Sequence, residues 1–491
     1  MVKRPILWHL LAATLALPAC GGGSDSTGSG GTPATPDTPT GSTIDRIEPL
    51  DTAMMKSAAA PAPAARSRLP AAASVPRVAL GPLVKTKTLA APGKGAALQI
   101  GQARALTETA SAADLAARLR WSVLDDGARV AALAFSAEGA QAIRLGVLVR
   151  QLPPGAVLRF YGDGEASVVE MPAAELQALR LRNQASGLTG DAADMAWGPD
   201  TAGSVSTLEV QIPAGASPSQ VQLAVPQLSH LTQTVAQAAR LQKNTAQIGE
   251  AGQCNLDVMC APDLQSVSRA VAKMMITDGG DTYLCTGTLL NDTRSSLTPY
   301  FLTVDHCVSG QAAASTVVTY WFFRAAACDS SPRYDPAMKR LGGGARLLYV
   351  DPASVTTLLR LNAQPPAGVV YAGSYFGPDT TAGTPVEGVH HPYGDLQKYS
   401  EGAITGYANC GSSTCGSAGA GDAGMYEVHW TQGITEAGSS GSAIFSATAG
   451  TRYVVGVLYG GNASCQNQNG ADYYGRFDRA AHDGVSNWLV Q

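Results

Sequence analysis

The chain has 491 residues, long enough for two or three domains with separate cores. Charged residues make up 15% of it and the formal net charge is −4. The lysines and arginines are scattered, with no basic stripe, which excludes a nucleic-acid partner.

Taken in chain order, the first element is an export signal over residues 1–19. Lys3 and Arg4 precede an apolar run from Ile6 to Leu17 that is too short to span a membrane. The run ends in Leu17-Pro18-Ala19-Cys20, a bacterial lipoprotein-type cleavage box, so Cys20 is the expected lipidation site. The expected location is therefore a membrane anchor on the periplasmic side or the cell surface; plain secretion is the alternative. Residues 20–78 are low in complexity, first Gly/Ser/Thr/Pro and then Ala/Pro, and predict a disordered tether that buries no core.

Residues 79–230 predict a β-rich, sandwich-like domain with few helices. Ser111-Ala112-Ala113-Asp114 starts a short helix reaching Leu119. Apolar residues then alternate at Ile143, Leu145, Val147 and Val149, at Leu158 and Phe160, at Leu208, Val210 and Ile212, and at Val221, Leu223 and Val225. Pro153-Pro154-Gly155 is a turn. Leu231, Val235 and Ala238 have helical spacing, which predicts a helical connector over 231–248. The second domain, 249–491, reads as short strands at 300–304, 317–323, 347–350, 357–361 and 453–459, with a closing helix from Ala480 to Leu489.

Of nine cysteines, Cys20 stands alone and the others lie between Cys254 and Cys465. An even number in one exported domain predicts four disulfides rather than zinc, because no histidines follow at ligand spacing. No metal or cofactor is implied. The chemistry rests on two segments of this domain. Thr303-Val304-Asp305-His306-Cys307 offers a base beside a cysteine, and Gly438-Ser439-Ser440-Gly441-Ser442 offers a hydroxyl on a glycine turn. A serine hydroxyl needs a base to take its proton, and histidine titrates in the right range. The glycines let the N–H groups of Gly438 and Ser440 converge as an oxyanion hole.

Residues from about 249 to 490 resemble bacterial lysyl endopeptidases, a branch of the chymotrypsin-like serine proteases. The resemblance is carried by Cys254-Asn255-Leu256-Asp257-Val258-Met259-Cys260, Cys285-Thr286-Gly287-Thr288-Leu289, His306-Cys307, Thr435-Glu436-Ala437-Gly438-Ser439-Ser440-Gly441-Ser442 and Asp472-Tyr473-Tyr474-Gly475-Arg476. It implies a double β-barrel with Ser440 as nucleophile, His306 as base and Asp472 as the acid that holds a basic substrate side chain. It also implies disulfides Cys254–Cys465, Cys260–Cys328 and Cys285–Cys307, which leaves Cys410 and Cys415 to pair with each other. The upstream domain takes the place of a pro-domain or chaperone-like domain. The implied partners are protein or peptide substrates, met by a monomer.

The sequence departs from that family in two respects, and shares with it a third difference, at Ser439, from trypsin itself. Val355 stands where the triad aspartate belongs in Ala353-Ser354-Val355-Thr356-Thr357-Leu358-Leu359. Asp351 is the expected substitute if the loop is rearranged, whereas the side chain of Asp305 is expected to point elsewhere. Tyr459 replaces a family histidine, and no counterpart of the family's substrate-side tryptophan is found. Ser439 stands where trypsin has an aspartate that captures a new N-terminus, so activation by that salt bridge is not expected. His390-His391-Pro392 is expected to be structural and His429 a strand residue, while His230 and His482 carry no signal. The competing reading is an impaired pseudoprotease that binds peptides or partner proteins without turnover.

Overall fold

The computed structural model describes residues 44–53, 55, 65–83, 96–163, 168–233, 251–331, 333–378, 380–411 and 414–491. The export signal and Cys20 lie outside the described residues. Among the described residues no helix is long and apolar enough to cross a membrane.

The alternating apolar positions upstream build a two-sheet sandwich. One sheet runs Arg77–Leu80, Arg129–Ala137, Val205–Ile212, Val157–Gly162, Val169–Pro172. The other runs Met195–Ala202, Ala142–Gln151, Gln222–Leu231, Leu98–Ala105. Leu133, Phe135, Leu158 and Phe160 of the first sheet share one buried core with Leu145, Val147, Leu223 and Leu228 of the second. Each such side chain contributes about 1.5–3 kcal/mol when fully buried. The short helix Ala112–Arg118 is capped as predicted, with the Ser111 side chain accepting from Asp114 N at 3.2 Å. A longer helix, Ala173–Ala185, was not predicted; it packs Leu176 and Leu179 on the same core.

Two sequence expectations fail in this half. The predicted connector does not begin as a helix: Leu231 ends the strand Gln222–Leu231, between Gly101 and Ala142. Two neighbouring strands satisfy its backbone, which outweighs a three-residue helical spacing. Residues 234–248 of that connector lie outside the described residues. The tether also fails to stay clear of the fold. Arg46–Ile47 and Leu50–Asp51 pair with Gly373–Tyr375 and Val370–Tyr371 of the downstream domain. Ile47 is 3% exposed inside that domain's core. Thr52 donates its hydroxyl to Val369 O at 2.6 Å, and Asp51 pairs with Arg269. A segment too poor in apolar residues to build a core can still complete the edge of a folded sheet.

The downstream domain is the double barrel. The first, open barrel runs Val318–Trp321, Val271–Asp278, Asp281–Leu290, Tyr300–Val304, Thr356–Leu361, Ala345–Asp351. The second runs Thr451–Gly461, Ala443–Thr448, Pro385–His390, Lys398–Cys410, Met425–Gln432, Ala471–Arg476, and its last strand pairs back with its first. The chain closes in helical turns from Phe477 to Leu489, interrupted at Gly484 (φ 148°).

The sandwich and the first barrel share a sheet. Leu98–Ala105 pairs antiparallel with Asp281–Leu290, Leu98 opposite Leu284 and Gly101 opposite Thr282. A Cβ on Gly101 would lie 2.6 Å from Ser229 Oγ and 2.9 Å from Thr282 Cβ, so only glycine lets these strands approach. Leu98, Ile100 and Leu231 are buried with Met275, Leu284, Val318 and Tyr320. Arg144, 1% exposed, crosses the seam, with Nη1 donating to Thr277 Oγ1 at 2.8 Å and Nη2 to Thr316 O at 2.7 Å.

Candidate active site

Ser440 sits on the turn between Met425–Gln432 and Ala443–Thr448, and His306 on the turn after Tyr300–Val304. The strand Asp281–Leu290 joins the two turns. Its Cys285 is bonded to Cys307, beside His306, and its Thr286 N donates to Ser440 O at 2.9 Å. The base and the nucleophile are therefore held by one strand, although they are far apart in sequence.

The glycines of the nucleophile turn have steric causes. Gly438 has φ 93°, and a Cβ there would lie 3.0 Å from His391 O. Gly441 has φ 85°, and a Cβ would lie 2.3 Å from Thr303 Oγ1. Any other residue would be strained at either position. Thr286 Oγ1 donates to Gly438 O at 3.0 Å and fixes that peptide. Among the described residues no acceptor takes up the N–H of Gly438 or of Ser440. Both donors are thus free for an oxyanion.

His390 and His391 support this turn. His390 Nδ1 and Ser439 Oγ are hydrogen-bonded at 2.9 Å, and His391 Nδ1 donates to Asp395 O at 3.0 Å. Burial pushes both imidazoles down to about 3, so they serve as neutral hydrogen-bonding struts. The Glu436 carboxylate accepts from Gly252 N at 2.8 Å and from Asn255 Nδ2 at 2.7 Å, close to the Cys254–Cys465 bridge. Cys260–Cys328 and Cys410–Cys415 are bridged as well. Every cysteine of this domain is therefore oxidised, and none is left as a thiolate for zinc. His429 lies in Met425–Gln432 with Nε2 3.2 Å from Glu427 Oε1.

His306 has an apolar, mostly closed setting. The edge of Tyr459 packs against it, with ring centroids 5.7 Å apart at 78°, and Tyr459 donates its hydroxyl to Gly411 O at 3.3 Å. Sequence comparison marks Tyr459 only as a replaced histidine; its contact with the base depends on barrel closure. Burial pushes the His306 imidazole down to about 4, so the ring is neutral at neutral pH, as a general base requires. Neither of its buried nitrogens has a hydrogen-bond partner among the described residues.

Asp351 does not fill the place of the missing acid. Its carboxylate accepts from Ala353 N at 2.9 Å, Ser354 N at 3.0 Å and Ser354 Oγ at 2.5 Å. A short acidic side chain after a strand caps the turn that follows it, and here that turn carries Val355. Val355 is 4% exposed and has φ 47°, a conformation that strains a β-branched residue and suits Asp or Asn far better. Asp305, expected to point away, instead has Oδ1 4.0 Å from His306 Nδ1.

Asp472 lies in Ala471–Arg476 and is 1% exposed. Its Oδ2 accepts from Trp430 Nε1 at 2.7 Å and from Thr435 Oγ1 at 2.5 Å, whereas among the described residues buried Oδ1 has no hydrogen bond of normal geometry, the Ala463 N–H adding only a minor contact to the carboxyl. A Cβ on Gly461 would lie 2.4 Å from that oxygen, so glycine there keeps it open. Burial raises the carboxyl to about 6, against the lowering effect of the Thr435 and Trp430 bonds. The orienting role of Trp430 goes unread in the sequence; the signal available is an indole next to His429 in the same strand.

Two families match the chain: the lysyl endopeptidase N-terminal domain over residues 72–232 and the lysyl endopeptidase C-terminal domain over residues 248–475. A lysyl endopeptidase of Pseudomonas aeruginosa is 30% identical over 388 residues, covering 76% of this chain and 77% of that protein. Solved structures with a similar fold include the protease domain of MamO from Magnetospirillum magneticum, at 11% identity and a TM-score of 0.30, covering 45% of this chain and 97% of that one. A thermostable serine protease AL20 from an extremophilic microorganism matches at 12% identity and a TM-score of 0.32, with the same shares covered.

Proposed function

The chain belongs to the lysyl endopeptidase family of serine endopeptidases, and from that premise we propose that it cleaves peptide bonds after basic residues through an acyl-enzyme on Ser440. His306 takes the Ser440 proton as the hydroxyl attacks the scissile carbonyl, then returns it to the leaving amine. The N–H groups of Gly438 and Ser440 stabilise the oxyanion; one such donor is worth about 2.7–4 kcal/mol. Asp472 receives the Lys or Arg side chain at Oδ1 through a charge-assisted hydrogen bond. One observation carries this reading: among the described residues, His306 Nε2 and Asp472 Oδ1 are buried without a hydrogen-bond partner of normal geometry. Folding normally pairs buried polar groups, so atoms left bare at a base and a pocket acid await a substrate.

A fluorophosphonate probe tests the reaction directly. Wild type is expected to label rapidly and Ser440→Ala not at all; equal rates for the two would sink the proposal. A second reading, peptide binding without turnover, is favoured by the lack of a carboxylate bonded to His306 Nδ1. The same experiment separates the two, since a pure binder leaves wild type unlabelled.

The pocket acid also predicts a pH signature. Asp472 is ionised above about 6 and neutral below it. Taking the ratio of kcat/KM for a lysyl ester to that for a neutral ester cancels the titration of His306, which affects both. The ratio is expected to hold above that pH and to fall about tenfold per unit below it, as the attracting charge is lost. A flat ratio from acid to neutral pH would show that Asp472 does not hold the basic side chain.

A further inference from the structure

We propose that Asp305 is the positioning carboxylate of His306, taking the role that Val355 cannot fill. The inference rests on the serine-protease reading above and names the third member of its constellation.

The geometry is local. Asp305 Oδ1 lies 4.0 Å from His306 Nδ1, and the same oxygen accepts the backbone N–H of His306 at 2.7 Å. The backbone N–H of Asp305 donates to Val355 O at 3.0 Å. The backbone of Asp305 is therefore tied by one hydrogen bond to the position where the family carries its acid. Closing the gap by about 1 Å would reach the normal length of a charge-assisted bond. Catalytic hydrogen bonds are often long in free enzymes and tighten when substrate binds.

His306 Nδ1 is buried and has no other partner among the described residues. An imidazole with no acceptor at Nδ1 has neither a fixed tautomer nor support for the imidazolium that forms during attack. Asp351, the other nearby acid, has its oxygens committed to the turn donors of Ala353 and Ser354. The titratable groups that bear on the pair are Asp351, whose charge raises the Asp305 carboxyl, and Tyr459, whose ring lies against His306. Burial is the larger cause of that rise, so the free carboxylate is poised to gain from an imidazolium beside it.

The test is Asp305→Asn, in which the amide oxygen can still accept the His306 N–H and only the charge is removed. The expected kcat is lower by about 10²-fold, with KM within about twofold of wild type. The acid limb of kcat/KM should shift to lower pH, because a neutral amide beside the ring no longer favours the imidazolium. Adding Val355→Asp to Asp305→Asn should restore at least about tenfold of kcat, because it returns a carboxylate to the family position. A turn-forming role for Asp305 predicts neither the pH shift nor the rescue. A variant with wild-type kcat and an unmoved acid limb overturns the inference while leaving Ser440-dependent hydrolysis intact. So does a loss of kcat with no pH shift and no rescue. If wild type itself lacks Ser440-dependent hydrolysis, the proposed function fails, and this inference fails with it.

Discussion

Ser440→Ala is expected to lower kcat on a lysyl peptide by about 10⁶-fold while leaving KM within about twofold. The hydroxyl is the only group replaced. The Gly438 and Ser440 N–H donors belong to the backbone, whose path is set by the two glycines and by the Thr286 bonds, so the oxyanion hole survives. Binding through Asp472 survives too. What is lost is the covalent route, and the residual rate over water, about 10³–10⁴, reflects the binding groups and oxyanion donors that remain. Steady-state hydrolysis of a fluorogenic lysyl peptide by both proteins checks this. A variant that keeps more than about 1% of wild-type turnover would place the nucleophile elsewhere.

The second large effect is expected at the pocket acid. Asp472→Asn should reduce kcat/KM for lysyl substrates by about 10³-fold, equivalent to about 4 kcal/mol, with neutral substrates nearly unaffected. The reason lies in what orients the side chain. Trp430 Nε1–H and Thr435 Oγ1–H both donate to Oδ2. An asparagine must turn its carbonyl toward these donors, which points its NH₂ group at the incoming ammonium. The variant therefore removes the attracting charge and adds an opposing donor. Parallel losses on lysyl and neutral substrates would instead mean that the barrel had been disturbed.

The parts of this protein that could be read from sequence are those set by local chemistry. The turn around Ser440 and the His306-Cys307 step are written in adjacent residues, and the disulfide frame follows from the family motifs. Strand alternation was legible where strands are regular. It failed where they are not: Gln222–Leu231 shifts register between Ala224 and Gln227, around Pro226, so its second half lost its pattern and Leu231 read as helix. The helix Ala173–Ala185 had a usable signal in Leu176 and Leu179 after Pro172, diluted by the alanines around them. The strands Arg46–Ile47 and Leu50–Asp51 had none, since two-residue strands have no period and their partners lie more than 300 positions away. The site divides in the same way. Asp351 matched the missing acid by sequence distance, but Asp305 is closer to the imidazole because a turn, not a strand, sets where it points.

The upstream part of the chain grips the protease at two separate places, the edge at Arg46–Asp51 on the second barrel and the shared sheet at Leu98–Ala105 on the first. It works as a clasp with two fastenings. A single break of the backbone between Gln233 and Ala251 would therefore not release the protease. The nicked protein is expected to run as two fragments on a denaturing gel and as one particle by native size, and separation would require both fastenings to open together. Cutting the backbone and parting the two pieces are thus separate events, and only the second needs the fastenings to open.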